Sequence, residues 1–186
     1  MDTVTAINEP KDHTKCVVEF QAFKNNSGRF IVKELVIYDI TTHVVNYFVF
    51  KPPFRICKLN HKAFKTNNWV TSNYHYISWD EGFIEYKELS NILRHYCRQY
   101  QEIYTSGYEK SKFIGKYTKG PIFNVELPHA FLPNNYDGLC IGIRCPQHKL
   151  NHCALSRAYR VGAFINSGGE EAYKLQMQQC TTHSLF

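Results

Sequence analysis

Three β-rich runs crowd into the first fifty residues of this chain, joined by links too short for anything except antiparallel neighbours. Cys16 to Phe23 (CVVEFQAF) is β-branched and aromatic, and it runs into the turn-forming Asn25-Asn26-Ser27-Gly28. Phe30 to Asp39 (FIVKELVIYD) then reads as the returning strand of a hairpin. After Ile-Thr-Thr comes a third run, His43 to Phe50 (HVVNYFVF), which Pro52-Pro53 ends because proline cannot donate to a sheet ladder. A sequence of this kind predicts an antiparallel meander at the start of a sheet.

Downstream the pattern changes. A short helix is expected near residues 60–67, with loop beyond it. A better helix is expected from Tyr86 to Gln99, where Leu89, Ile92, Leu93 and Tyr96 form one apolar stripe. Glu102 to Ser106 reads as a short strand, and Glu109 to Tyr117 as an amphipathic helix. Pro121 to Leu127 reads as another strand, and Cys153 to Phe164 as a packed helix. The order β-β-β-α-β-α-β-α predicts an α/β fold of RNase H-like order: three antiparallel strands, then two helix-linked strands, with helices on both faces of a mixed sheet. The expected division is a loose arm at 1–14, the domain at 15–166 and a tail at 167–186 with one possible further helix at 170–179.

Composition narrows the class. Aromatics make up 15% of 186 residues, which excludes chain-wide disorder. No apolar run approaches the roughly 20 residues of a membrane span, and the first residues lack the order of a secretory signal, so a cytoplasmic or nuclear protein is expected, away from membranes. Without a secretory context the seven cysteines are expected as free thiols or metal ligands rather than a disulfide framework.

One cysteine-containing cluster has metal-ligand spacing. Cys145-Pro146-Gln147-His148 followed by Cys153 gives Cys-x2-His-x4-Cys. Two ligands across a tight turn and a third at the start of a helix suit zinc, whose structural sites are tetrahedral, so a fourth, remote ligand is required. Cys140 is one candidate for it, and His152 competes with His148. Against this stands the plainer reading of two buried thiols and a loop histidine.

The run His152-Cys153-Ala154-Leu155-Ser156-Arg157-Ala158 is similar to the last motif of the DEDDh exonucleases, with Arg157 where that family has an Asp. Glu19-Phe20-Gln21 stands in place of its Asp-x-Glu, and Lys110, three residues before Phe113-Ile114, in place of its middle Asp. Cations at two such positions leave no magnesium pair to be expected, and with it no two-metal exonuclease chemistry and no catalytic residue. The cluster and the fold order together resemble the Maelstrom domain, an RNase H-like fold that has lost these carboxylates and carries a Glu-Cys-His-Cys zinc site. The resemblance implies one structural zinc held by Cys145, His148, Cys153 and an early-strand Glu, best matched by Glu34 with Glu19 as rival.

The net charge of +6 is compatible with a phosphate-rich partner. Lys58, Lys62 and Lys65 (with Arg55), then Lys110, Lys112 and Lys116 (with Lys119), and Arg157 are the candidate nucleic-acid contacts, with Tyr104, Tyr108, Trp79 or Tyr76 for stacking. The plain reading of both lysine groups is a solvated helix face. The expected function is RNA binding by a zinc-stabilised pseudo-nuclease, with a place in RNA silencing implied by the resemblance. A protein-interaction scaffold that leaves RNA untouched is the alternative. A third reading is a metal-independent ribonuclease using a set such as His75, His152 and Lys110.

Overall fold

The computed structural model describes residues 15–125 and 153–169. Strands β1 (Lys15–Lys24), β2 (Phe30–Asp39) and β3 (Val45–Val49) form the meander. Helices α1 (His61–Asn73) and α2 (Leu89–Cys97) follow, then β4 (Glu102–Thr105), α3 (Tyr108–Ile114), β5 (Ile122–Asn124) and α4 (Ala154–Phe164). The sheet order is β3-β2-β1-β4-β5. β1 pairs antiparallel with β2 and parallel with β4, β2 pairs antiparallel with β3, and β4 pairs parallel with β5. The fold is therefore α/β, built on a mixed five-stranded sheet.

Alternation along the strands decides which helix covers which face. Val17, Val36, Tyr38 and Tyr104 pack with Ala154, Leu155, Ala158 and Val161 of α4. Cys16, Val18, Phe20, Leu35, Ile37 and Ile103 pack on the other face with Leu89, Leu93 and Cys97 of α2 and Ile114 of α3. β1 is buried at both parities because it is central and covered twice, although Glu19 and Gln21 stand among its buried residues. A third, smaller core joins Phe23 and Ile31 to Leu59, Ala63 and Trp79. Helix α4 sits close to the sheet: a Cβ on Gly162 would lie 2.5 Å from Cε1 of Tyr38. Among the described residues no helix is long and apolar enough to cross a membrane.

The sequence Lys33-Glu34 puts two charges side by side in the middle of β2, and both are fully buried. A bulge accommodates them. Gln21 is opposite Glu34, but Ala22 is opposite Val32, so β2 carries one extra residue there. The insertion switches parity, so that Leu35 and Val32, three apart, share the α2–α3 core. The Lys33 ammonium donates to the carbonyls of Phe50 (2.7 Å), Trp79 (2.8 Å) and Glu81. It thereby anchors residues 79–81 to the end of β3, where Phe83 and Ile84 also bond to the Val49 carbonyl. Gly82 lies so close to this strand end that a Cβ would stand 2.3 Å from the Phe50 carbonyl, and its φ of 139° is one that side chains rarely adopt.

Several boundaries differ from expectation, among them that of the helix expected from Glu109 to Tyr117, which ends at Ile114. β3 starts at Val45 rather than His43, because the Asp39 carboxylate accepts from Thr41 N (2.9 Å) and Thr42 N (2.8 Å) and curls the chain into a turn in which His43 has φ 60°. α1 runs to Asn73, well beyond 67, so it is a full helix that belongs in the element order, where the expected order counts only one helix before β4. Its start is fixed by Asn60, whose side chain accepts from Ala63 N at 2.9 Å, and by the hairpin tip, where Asn26 Oδ1 accepts from Asn60 N at 2.7 Å. The helix expected from Tyr86 opens as a 3-10 turn, Tyr86–Glu88, and is α-helical only to Cys97. β5 is confined to Ile122–Asn124. The helix expected at 170–179 lies outside the described residues.

Burial lowers the Lys33 pKa to about 8, with nearby Glu81 and Asp80 opposing the shift. Between about 8 and about 10.4 the unfolded chain therefore binds the extra proton, so this residue makes stability rise with pH across that window. Lys33→Met is expected to flatten that rise and, by stripping three carbonyls of their donor, to cost about 2–3 kcal/mol at neutral pH. Urea denaturation at pH 7, 8, 9 and 10 measures both.

Candidate metal centre and basic surfaces

Glu34 and Cys153 are 119 residues apart in sequence and meet beneath the first turn of α4. Glu34 Oε2 accepts from Ala154 N at 3.0 Å, and Oε1 accepts from the Tyr47 hydroxyl at 2.9 Å, with Cys153 Sγ 3.8 Å away. The Cys153 side chain does not cap the helix. A carboxylate from the sheet takes that role, favoured by the unpaired amides and positive end of the helix. Glutamate and thiol are both buried. Zinc–sulfur and zinc–oxygen bonds of about 2.3 and 2.0 Å at a tetrahedral angle put the two ligand atoms about 3.5 Å apart, so this pair fits one ion. Cys145 and His148, with Cys140 and His152, lie outside the described residues. Among the described residues no group of three or more His, Cys, Asp and Glu is gathered for a metal.

The other thiols are placed differently. Burial pushes Cys97 up to about 12 and Cys16 well above its ordinary value, which leaves both inert as thiolates. Cys57 is exposed.

Glu19, the rival ligand, is occupied otherwise. It is fully buried at the centre of β1, and the Lys110 ammonium donates to its Oε2 at 2.6 Å, with Lys110 14% exposed. Ser106 N donates to Oε1 at 2.5 Å. The cation that the sequence sets against a metal at this position is thus provided by α3 itself, as a permanent internal counter-ion. Lys110 thereby differs from the other candidate RNA contacts, since reaching a phosphate requires leaving a buried carboxylate unpaired. Arg157, half-buried on α4, donates from Nη1 to the Tyr74 hydroxyl at 3.1 Å.

The remaining candidate lysines are exposed: Lys58, Lys62 and Lys65 along and before α1, and Lys112 and Lys116 on and after α3. α1 contains no acidic residue, and Trp69 on it is 59% exposed. Lys62, Lys65 and Trp69, spaced by three and four residues, share one face. Of the aromatics expected to stack on bases, Trp79 and Tyr104 are core, and Tyr108 is exposed beneath Lys112, whose Nζ is 5.2 Å from its ring. Trp69 fell in the stretch expected as loop beyond residue 67, so neither its place on the helix nor its exposure had a signal in the sequence. Of the metal-independent set, His152 lies outside the described residues; His75 is buried, accepts from Ile77 N at 3.0 Å and packs on Phe23, while Lys110 is on Glu19.

No family model, no curated protein and no solved structure matches this chain.

Lys110→Met is expected to lose about 3–5 kcal/mol of stability by stranding the Glu19 carboxylate. The pair Glu19→Gln with Lys110→Met is expected to recover most of it. Denaturant midpoints of the two singles and the double close the cycle, and additive losses would contradict the ion pair.

Proposed function

We propose that this chain is a catalytically degenerate RNase H-like domain similar to the Maelstrom domain, carrying one structural zinc and binding RNA. The observation that carries the reading is the meeting of Glu34 with Cys153. These are the two ligands whose proximity the sequence cannot produce by spacing, and the resemblance names both. The strand order β3-β2-β1-β4-β5 supports the fold assignment. The Lys110–Glu19 pair supports degeneracy, because a carboxylate neutralised from within has little call for a metal cation.

Glu34 and Cys153 with Cys145 and His148 are the ligand set, and bound zinc would contribute its binding energy to folding. The hydrogen bonds already on Glu34 anchor the carboxylate, in the manner of the outer partners that orient metal ligands. RNA is assigned to the acid-free face of α1, with lysines tracking phosphates and Trp69 offering a stacking surface. The scaffold alternative draws on the same helix, since an exposed Trp69 and, nearby in sequence, a 57% exposed Phe83 also suit a protein partner.

Elemental analysis of protein purified without chelators is expected to give one zinc per chain, lost in Cys145→Ser together with about 10 °C of thermal midpoint. Zinc-free wild type would remove the metal reading and leave a thiol–carboxylate hydrogen bond. For RNA, a plot of log affinity against log salt should have a negative slope, reduced in magnitude by about 1.4 in Lys62→Gln with Lys65→Gln. Trp69→Ala is expected to weaken binding of a single strand by about 1–3 kcal/mol. Absent or salt-independent RNA binding favours the scaffold.

A further inference from the structure

On the sheet face away from Glu34 and Cys153, the end of α2 and the turn after α3 form an open cleft of about 460 Å³. Arg94, Arg98, Lys116 and Lys119 line it, with Tyr117, Thr118 and Gly120, and no carboxylate is in its lining. All four cations are exposed, and among the described residues none of them forms an ion pair. We infer that this cleft is a binding site for a ligand presenting two or three adjacent phosphates, as a nucleoside di- or triphosphate does, or the triphosphorylated 5′ end of an RNA.

Helix dipoles alone do not account for the cluster. Arg98 is the C-cap of α2 and Gly115 that of α3, so two negative helix ends face this region. Each is equivalent to roughly half a negative charge, and together they offset about one of the four cations. About three positive charges remain for a ligand.

Charge density then chooses among phosphate ligands. A cleft of 460 Å³ is roughly 8 Å across, within the range of small-molecule sites. Internal phosphates of a strand carry one charge each and lie further apart than the rise of about 3.4 Å per nucleotide along a duplex axis, so that length holds at most about two of them. A di- or triphosphate concentrates three or four negative charges there, which matches the surplus better. Arg94 and Arg98 stand four residues apart, on one side of α2, and their guanidinium forks suit bidentate phosphate contacts. The Arg94 guanidinium lies 5.9 Å from the Tyr117 ring, which leaves that ring at the cleft as an apolar platform beside the charges.

The test uses the full chain and isothermal titration with pyrophosphate, ATP, and a short single-stranded RNA bearing either a 5′-hydroxyl or a 5′-triphosphate. Wild type is expected to bind ATP and pyrophosphate, and Arg98→Gln with Lys119→Gln to weaken both at least tenfold with an unchanged thermal midpoint. A preference for triphosphate over hydroxyl RNA ends points to the RNA terminus as source, and equal RNA affinities with tight ATP binding point to the free nucleotide. No binding of pyrophosphate and ATP, or binding untouched by the double variant, overturns the inference. So does a loss of hydroxyl-ended RNA binding alone, which would make the cleft a site for internal phosphodiesters. Lys62→Gln with Lys65→Gln is the control: it is expected to leave ATP affinity unchanged. Failure of RNA binding on α1 would therefore not be confused with failure of the cleft.

Discussion

Two opposite charges, Lys33 and Glu34, sit next to each other inside a sheet covered on both faces, and each demands partners that water would otherwise provide. Their solutions organise much of the molecule. Lys33 collects three carbonyls from the strand end and the loop before α2, so the long excursion after the meander is drawn back to the sheet. Glu34 collects the first amide of α4 and the Tyr47 hydroxyl, so the last described helix is seated over β2 beside β3. The β-bulge is what lets both be met without sacrificing the apolar residues on either side. Exchanging either charge for an apolar residue would remove not one contact but the reason that a whole segment lies where it does.

The legible parts of the fold were those in which local pattern and burial agree. β2 was readable to the residue, since ten consecutive positions are bounded by a turn at one end and by Asp39 at the other. The α2 stripe was readable because Leu89 and Leu93 are buried and the polar residues are not. α1 was harder, because it buries only Ala63 and Asn67 and exposes Trp69, which blurs the periodicity that announces a helix. Lys33 was illegible for another reason: a lysine in a strand reads as a solvent-facing residue, and only three converging carbonyls from distant positions reveal otherwise. Glu34 was equally opaque to pattern alone and entered through the family resemblance.

Chemistry is divided between the faces of the sheet. The α4 face holds the carboxylates, with Glu19 closed off by Lys110 and Glu34 set against Cys153. The opposite face is apolar in its core and basic where α2 and α3 end. A buried anion matched by an internal cation is chemically quiet, whereas cations unmatched at a surface are available to a partner. The separation lets exposed positive charge coexist with an interior in which Glu19 has its own cation and Lys33 and Glu34 are met by hydrogen bonds.

The close approach of Gly162 to Tyr38 has a mechanical consequence. A helix that touches a sheet through side chains can slide by exchanging one set of contacts for another. Here the backbone of α4 rests on an aromatic ring, and the hydroxyl of that ring lies 2.7 Å from His43 Nδ1 in the turn between β2 and β3. The helix is in effect keyed, its axial position indexed to a turn more than a hundred residues earlier in the chain. Nine residues back along the same helix stands Cys153, so the setting of that thiol against Glu34 is gauged from both ends of α4.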